Sequence, residues 1–236
     1  MKKAVILLLC ASMLSAVGCM DKKMPESKPK TIYYDDNGNP VASAPQNNTD
    51  ADGETLPPVP TEPTTPPPTA PEGTFDVDIV RQNIYIKGQL VQIPIKLGEF
   101  PIGWSYSLYD RKEYSLEEGS GMAKMYYCGE EMCTVKLENC YDGNEAESTV
   151  YNVSTQKADS SIYGITPHVS TIEDVKAHIG EPDEEDNVER PFKHMFTYGI
   201  SEGVDENGVL RANMLDVSFD ENGIVDFVSV YYSKIQ

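Results

Sequence analysis

Positive charge is scarce in this sequence: 19 Lys and Arg stand against 38 Asp and Glu, a formal net charge of -19 over 236 residues. With no surplus of cations to neutralise phosphates, nucleic-acid binding is excluded, and so is adhesion to an anionic lipid surface by charge alone. Histidine is almost missing, His168, His178 and His194 being the only three. None stands in a catalytic signature, and the chain has no G-x-S-x-G, H-E-x-x-H, Gly-rich phosphate loop or dinucleotide fingerprint. No apolar run reaches the roughly 20 residues that a membrane-spanning helix needs. These absences predict a non-catalytic protein with no metal and no cofactor.

The N-terminus supplies an address. Met1, Lys2 and Lys3 form a basic n-region, and Ala4 to Val17 follow as an uncharged, mostly apolar h-region. That is the pattern of a secretory signal, too short to span a bilayer. Ala16, Val17, Gly18 and Cys19 then place small side chains before a thiol, and the stretch resembles a bacterial lipobox, although Ala16 stands where that pattern usually has Leu. The resemblance implies that residues 1–18 are removed and that Cys19 carries a diacylglycerol anchor. Two acyl chains on one residue give stable membrane attachment. A plain secretory signal with a stray Cys, of the kind Cys10 represents, is the alternative.

Residues 19–73 read as a lipid-anchored, disordered linker rich in Pro, Thr, Asn and Asp, with too little apolar surface to offset the entropy of ordering. Between Pro57 and Gly73 eight of seventeen residues are proline, which predicts a semi-rigid polyproline II spacer. Asp35, Asp36, Asn37 and Gly38 make an isolated turn within it.

Residues 74–236 are long enough for one globular domain of α+β class, β-rich with antiparallel sheets. The spacing divides it into a β-meander half, 74–158, and a half of one helix plus β-hairpins, 159–236. Phe75, Val77 and Ile79 alternate with Asp76 and Asp78, the period of two that predicts an opening strand. Ile84–Ile86 and Leu90–Ile95 flank a Lys87-Gly88 turn. Gly103 to Tyr109 forms a strand whose Trp104 is read as a core anchor. Met122–Cys128 and Met132–Asn139 read as strands joined by Gly129, Glu130 and Glu131. Placed opposite each other across that loop, Cys128 and Cys133 come within disulfide reach. An exported compartment permits the bond. Three reduced thiols, with Cys140, are the other reading, and zinc is disfavoured because the spacing lacks C-x-x-C knuckles and no His is near.

The second half carries the plainest helix signal. Ser170 as N-cap with Glu173 makes a capping box, Ile172, Val175 and Ile179 share a stripe, and Gly180 and Pro182 end it. This one short helix, Ser170 to Gly180, is expected to pack on the C-terminal sheet. Glu181 to Glu189 reads as a solvated acidic loop. Strands follow at Phe192–Tyr198, Leu210–Phe219 and Ile224–Tyr232, with Asp205–Gly208 and Asp220–Gly223 as turns and not calcium loops, since they lack the distal ligands. His178 is expected on the solvated side of its helix, His168 and His194 in structural roles.

The run GITPHVSTIEDVKAHIGEPD, then FTYG, then LDVSFDENGIVDFVSV, spanning Gly164 to Tyr232, is similar to the repeat unit of β-lactamase-inhibitor-like proteins and of the SmpA/OmlA (BamE) envelope lipoproteins. The resemblance implies a helix ending in Gly-x-Pro ahead of antiparallel strands, although Pro167 departs from the family's first helical turns. The whole chain resembles secreted lipoproteins of gut-type Gram-positive bacteria. Together these features predict a binding module held to the membrane through Cys19, with a protein or cell-wall partner met by aromatic strands that include Tyr106, Tyr126, Tyr127, Tyr231 and Tyr232. An envelope hydrolase, or an inhibitor of one, is the alternative.

Overall fold

A computed structural model of the protein describes residues 67–186, 194–206 and 209–233, together with short strand segments between residues 30 and 41. Residues 1–29, with the expected signal peptide and Cys19, lie outside the described residues. The elements run β1 (Lys30–Thr31), β2 (Tyr33–Tyr34), β3 (Pro40–Val41), α1 (Val77–Val80), β4 (Ile84–Ile86), β5 (Gln89–Val91), β6 (Ile95–Lys96), β7 (Trp104–Leu108), β8 (Gly119–Tyr127) and β9 (Glu130–Cys140). They continue with β10 (Thr149–Thr155), β11 (Ser160–Ile162), α2 (Ile172–Ile179), β12 (Glu184–Asp186), β13 (His194–Val204), β14 (Leu210–Phe219) and β15 (Val225–Tyr232). The class is α+β, β-rich and antiparallel.

One large sheet organises the molecule, in the order β1-β7-β8-β9-β10-β15-β14-β13-β12, with β6 added beside β10. The two halves of the domain are joined within it. β10 of the first pairs with β15 of the second, Val153 opposite Val230 and Thr155 opposite Val228. A small sheet, β11-β4-β5, packs against one face of the large one. Val80 from α1, Ile84 and Ile86 from β4, Ile162 from β11, and Val175 and Ile179 from α2 enter the same buried cluster as Leu137, Val153, Val217 and Val230 of the large sheet. Trp104 is fully buried there, with Phe100 edge-on at 5.3 Å and Tyr127 at 5.5 Å. It is the core anchor its strand predicts.

Several local expectations change. Residues 75–79 are not a strand: Val77–Val80 is one turn of helix, because the Asp76 carboxylate accepts the Asp78 N–H at 2.9 Å and caps it. Helix α2 starts one residue later than predicted. Thr171 is its N-cap and Asp174 completes the capping box, with Asp174 N donating to Thr171 Oγ1 and Thr171 N to Asp174 Oδ2. Ser170 is otherwise engaged, its hydroxyl accepting from Thr166 N and its carbonyl from Val225 N. Part of the predicted acidic loop, Glu184–Asp186, is an edge strand on β13. The folded unit also begins before residue 74, for Asn83 Nδ2 donates to Pro68 O and Ala70 N to the Tyr163 hydroxyl. The turn expected at residues 35–38 lies outside the described residues; the strands β2 and β3 pair with each other.

Candidate functional site

Side chains alternate across a sheet, so the face opposite the main core is fixed by the same registers. Starting from Leu137, Val153, Val230 and Leu215 on the core side, Lys136, Asn152, Tyr231 and Met214 fall on the other. A bulge between Val150 and Asn152 leaves Tyr151 on that outer side as well. There Tyr151, Val209, Ala212 and Tyr231 form a second, smaller cluster with Leu210 and Met214 against it. Among the described residues, neither helix nor the small sheet contributes to this cluster. This face is closed at its centre by its own side chains, Tyr151, Asn152, Ser229 and Tyr231 being buried, while Tyr126, Met214 and Phe227 are half-buried.

The aromatic residues singled out in the sequence divide between the two sides. Tyr106, Tyr127 and Tyr232 belong to the core side, the Arg81 guanidinium lying 4.2 Å over the Tyr232 ring. Tyr126 and Tyr231 occupy the outer face, as do Met122, Lys124 and Phe227. Sequence alternation alone indicates which residues share a face within one strand; it does not indicate which face another element covers.

Polar groups on the outer face are tied into a network. Asn152 Nδ2 donates to Ser229 Oγ at 2.8 Å and to Val230 O at 2.9 Å, while the Ser154 hydroxyl meets both Asn152 Oδ1 and Ser229 Oγ. Lys136 Nζ donates to the Tyr231 hydroxyl at 3.3 Å and sits 5.0 Å above its ring centroid. At the centre of the second half, Asp216 accepts from Thr197 Oγ1 at 2.9 Å, and burial pushes its carboxyl up to about 6. Burial also drives the Tyr151 hydroxyl well above the ordinary phenol range.

At one end of the face lies a shallow polar cleft of about 220 Å³, lined by Gly119, Glu138, Asn139, Tyr141, Val209 and Arg211. The Arg211 guanidinium is held there by Asp205 at 2.7 Å and Glu138 at 3.1 Å. Its two carboxylate partners leave this cleft without net positive charge.

The histidines are dispersed. His178 Nε2 meets Tyr163 O at 2.9 Å, with the rings 4.7 Å apart, so it is a half-buried link between α2 and the Tyr163-Gly164 turn and not the solvated residue expected. His194 Nε2 lies 2.7 Å from Glu185 and its ring edges against Phe196. His168 is exposed, 3.9 Å from Asp226. Among the described residues no group of three or more His, Cys, Asp and Glu is placed to hold a metal.

The proposed disulfide does not form in this structure. The connection between β8 and β9 is a two-residue turn, Cys128-Gly129, with φ 50° and 84°, and not the longer loop expected. Cys133 therefore pairs with Met125, while Cys128 sits at the exposed tip. Cys133 and Cys140 are buried, and all three are free thiols. Cys140 packs over Gly121, where a Cβ would lie 2.7 Å from its sulfur.

No protein-family model, curated protein or solved structure matches the chain.

Proposed function

We propose that the protein is a lipid-anchored, extracytoplasmic module of the cell envelope that works by binding and not by turnover, held to the membrane through Cys19. The observation that carries the binding role is the face of the ten-stranded sheet that, among the described residues, neither helix nor the small sheet joins. It offers the half-buried Tyr126, Met214 and Phe227 beside the hydrogen-bonded Asn152, Ser154 and Ser229, a rigid setting that lowers the ordering cost of docking. Rigid aromatic and Met side chains among satisfied polar groups suit a protein surface. The net charge of -19 favours a partner, protein or cell-wall polymer, with basic groups.

Two features support the address: the n-region and h-region of residues 1–17, and the small residues before Cys19. The similarity of residues 164–232 to β-lactamase-inhibitor-like repeats favours, within the binding class, inhibition of an envelope hydrolase over hydrolysis itself. The chemistry of the histidines points the same way, since their partners are a carbonyl and two carboxylates, with no nucleophile beside them.

Cross-linking in native membranes followed by capture of the protein tests this reading. One specific partner, retained less well as salt rises and lost on replacing Tyr126 and Phe227 with Ala, is the expected result. Turnover of a substrate that one carboxylate or His substitution abolishes would overturn it. For the anchor, Cys19→Ala moves the protein from the membrane to the soluble fraction.

A further inference from the structure

Residues 30 and 31 fall inside the stretch that composition assigns to a spacer, yet their backbone pairs with the folded unit. β1 runs antiparallel along the outer edge of β7, with Lys30 opposite Tyr106 and Thr31 opposite Ser105. β2 and β3 pair immediately after, Tyr33 opposite Val41 and Tyr34 opposite Pro40, and β3 lies beside the turn Leu97–Glu99. The chain is fastened a second time where the domain begins. Asn83 Nδ2 donates to Pro68 O at 2.8 Å, Ala70 N to the Tyr163 hydroxyl at 3.0 Å, and Gly73 N to His178 O at 3.0 Å.

An uncovered edge strand presents a row of unpaired N–H and C=O groups, and proteins cap such edges to avoid pairing with other chains. The opposite edge of this sheet is protected by charge, since β12 consists of Glu184, Glu185 and Asp186. β7 has no such protection, its residues being Trp, Ser, Tyr, Ser and Leu. Backbone pairing to an added strand is the mode by which sheet edges take extended segments.

We infer that the edge of β7 is a strand-acceptor site whose resident strand is the chain's own Lys30–Thr31. The tether between Cys19 and the fold is then only Met20–Pro29, ten residues that reach at most about 35 Å. The tether length rests on the anchor reading; the strand addition does not.

Hydrogen exchange on the full chain tests the strand addition. Peptides covering residues 28–43 exchange at least tenfold more slowly than the same peptide free in solution, and Thr31→Pro, which cannot donate to a ladder, abolishes the difference. Exchange at the free-peptide rate overturns the inference. For the tether, a site-specific protease sequence is inserted after Asn48 in the full-length protein in membranes. Cutting there leaves the domain in the membrane fraction until urea releases it; release on cutting alone overturns the short tether. Uncut protein already found in the soluble fraction would refute the anchor, leaving the exchange measurement to judge the strand.

Discussion

Asp216 is the residue whose environment asks most of its protonation state. Burial holds its carboxyl near 6 against an ordinary 3.8, with the Thr197 hydroxyl only partly compensating. The fold binds this proton more tightly than the unfolded chain does, so the associated stability is complete below about pH 4 and is lost as pH rises through about 6. Two pKa units correspond to roughly 3 kcal/mol, which partial exposure to solvent reduces to about 1–2 kcal/mol. Asp216→Asn keeps an acceptor for Thr197 and removes the charge. Its melting temperature is expected to exceed that of the parent at about pH 8 and to converge with it near pH 4; a gap independent of pH in calorimetry would refute the assignment. The cysteines give a second prediction at this scale. Mass spectrometry after alkylation of the native protein should show one modified thiol, Cys128, and three of the described thiols only after unfolding, since burial raises the Cys133 thiol far above the ordinary range.

Among the elements, α2 is legible in the sequence to within one residue because its determinants are local: a hydroxyl, a carboxylate three positions on, an apolar stripe, and Gly180 at its end. The shift from Ser170 to Thr171 is set by Ser170's bonds to Thr166 and Val225, the latter distant in sequence. Thr171→Ala is expected to cost about 1 kcal/mol in urea unfolding, and Ser170→Ala to leave the helix cap intact. β14 and β15 are also readable, from alternation and from the Asp220-Glu221-Asn222-Gly223 turn, in which the Asp220 carboxylate accepts from Asn222 N and Ile224 N. The hairpin β8–β9 is read in kind but not in register. Cys128 resembles a strand residue by type, and its left-handed φ arises only when Gly129 follows it in a two-residue turn. The opening segment around Phe75 fails for a different reason: five residues of alternation fit one capped helical turn as well as a strand. Gly199 has no signal in the sequence at all. Its φ of 94° and a position where a Cβ would lie 2.3 Å from Asn213 O make Gly199→Ala strongly destabilising, by more than the roughly 1 kcal/mol of an ordinary surface change.

For the molecule as a whole, the sequence announces β-rich architecture, a single short helix and an acidic composition, but not that one sheet spans both halves or that its two faces carry separate buried clusters. Those properties depend on which strands meet across long separations, and β10–β15 is the decisive contact. A two-site prediction follows at this scale: Tyr126→Ala and Phe227→Ala, both half-buried on the outer face, each lower the melting temperature less than a main-core substitution does, while weakening capture of the proposed partner. Core substitutions such as Trp104→Ala instead cost about 3–5 kcal/mol. The place of β15, between β10 and β14, has a corollary. The central rung of the ladder is supplied by Val225–Tyr232, so the β7–β10 strands and the β12–β14 strands become one sheet only when this last-described strand takes its place between them.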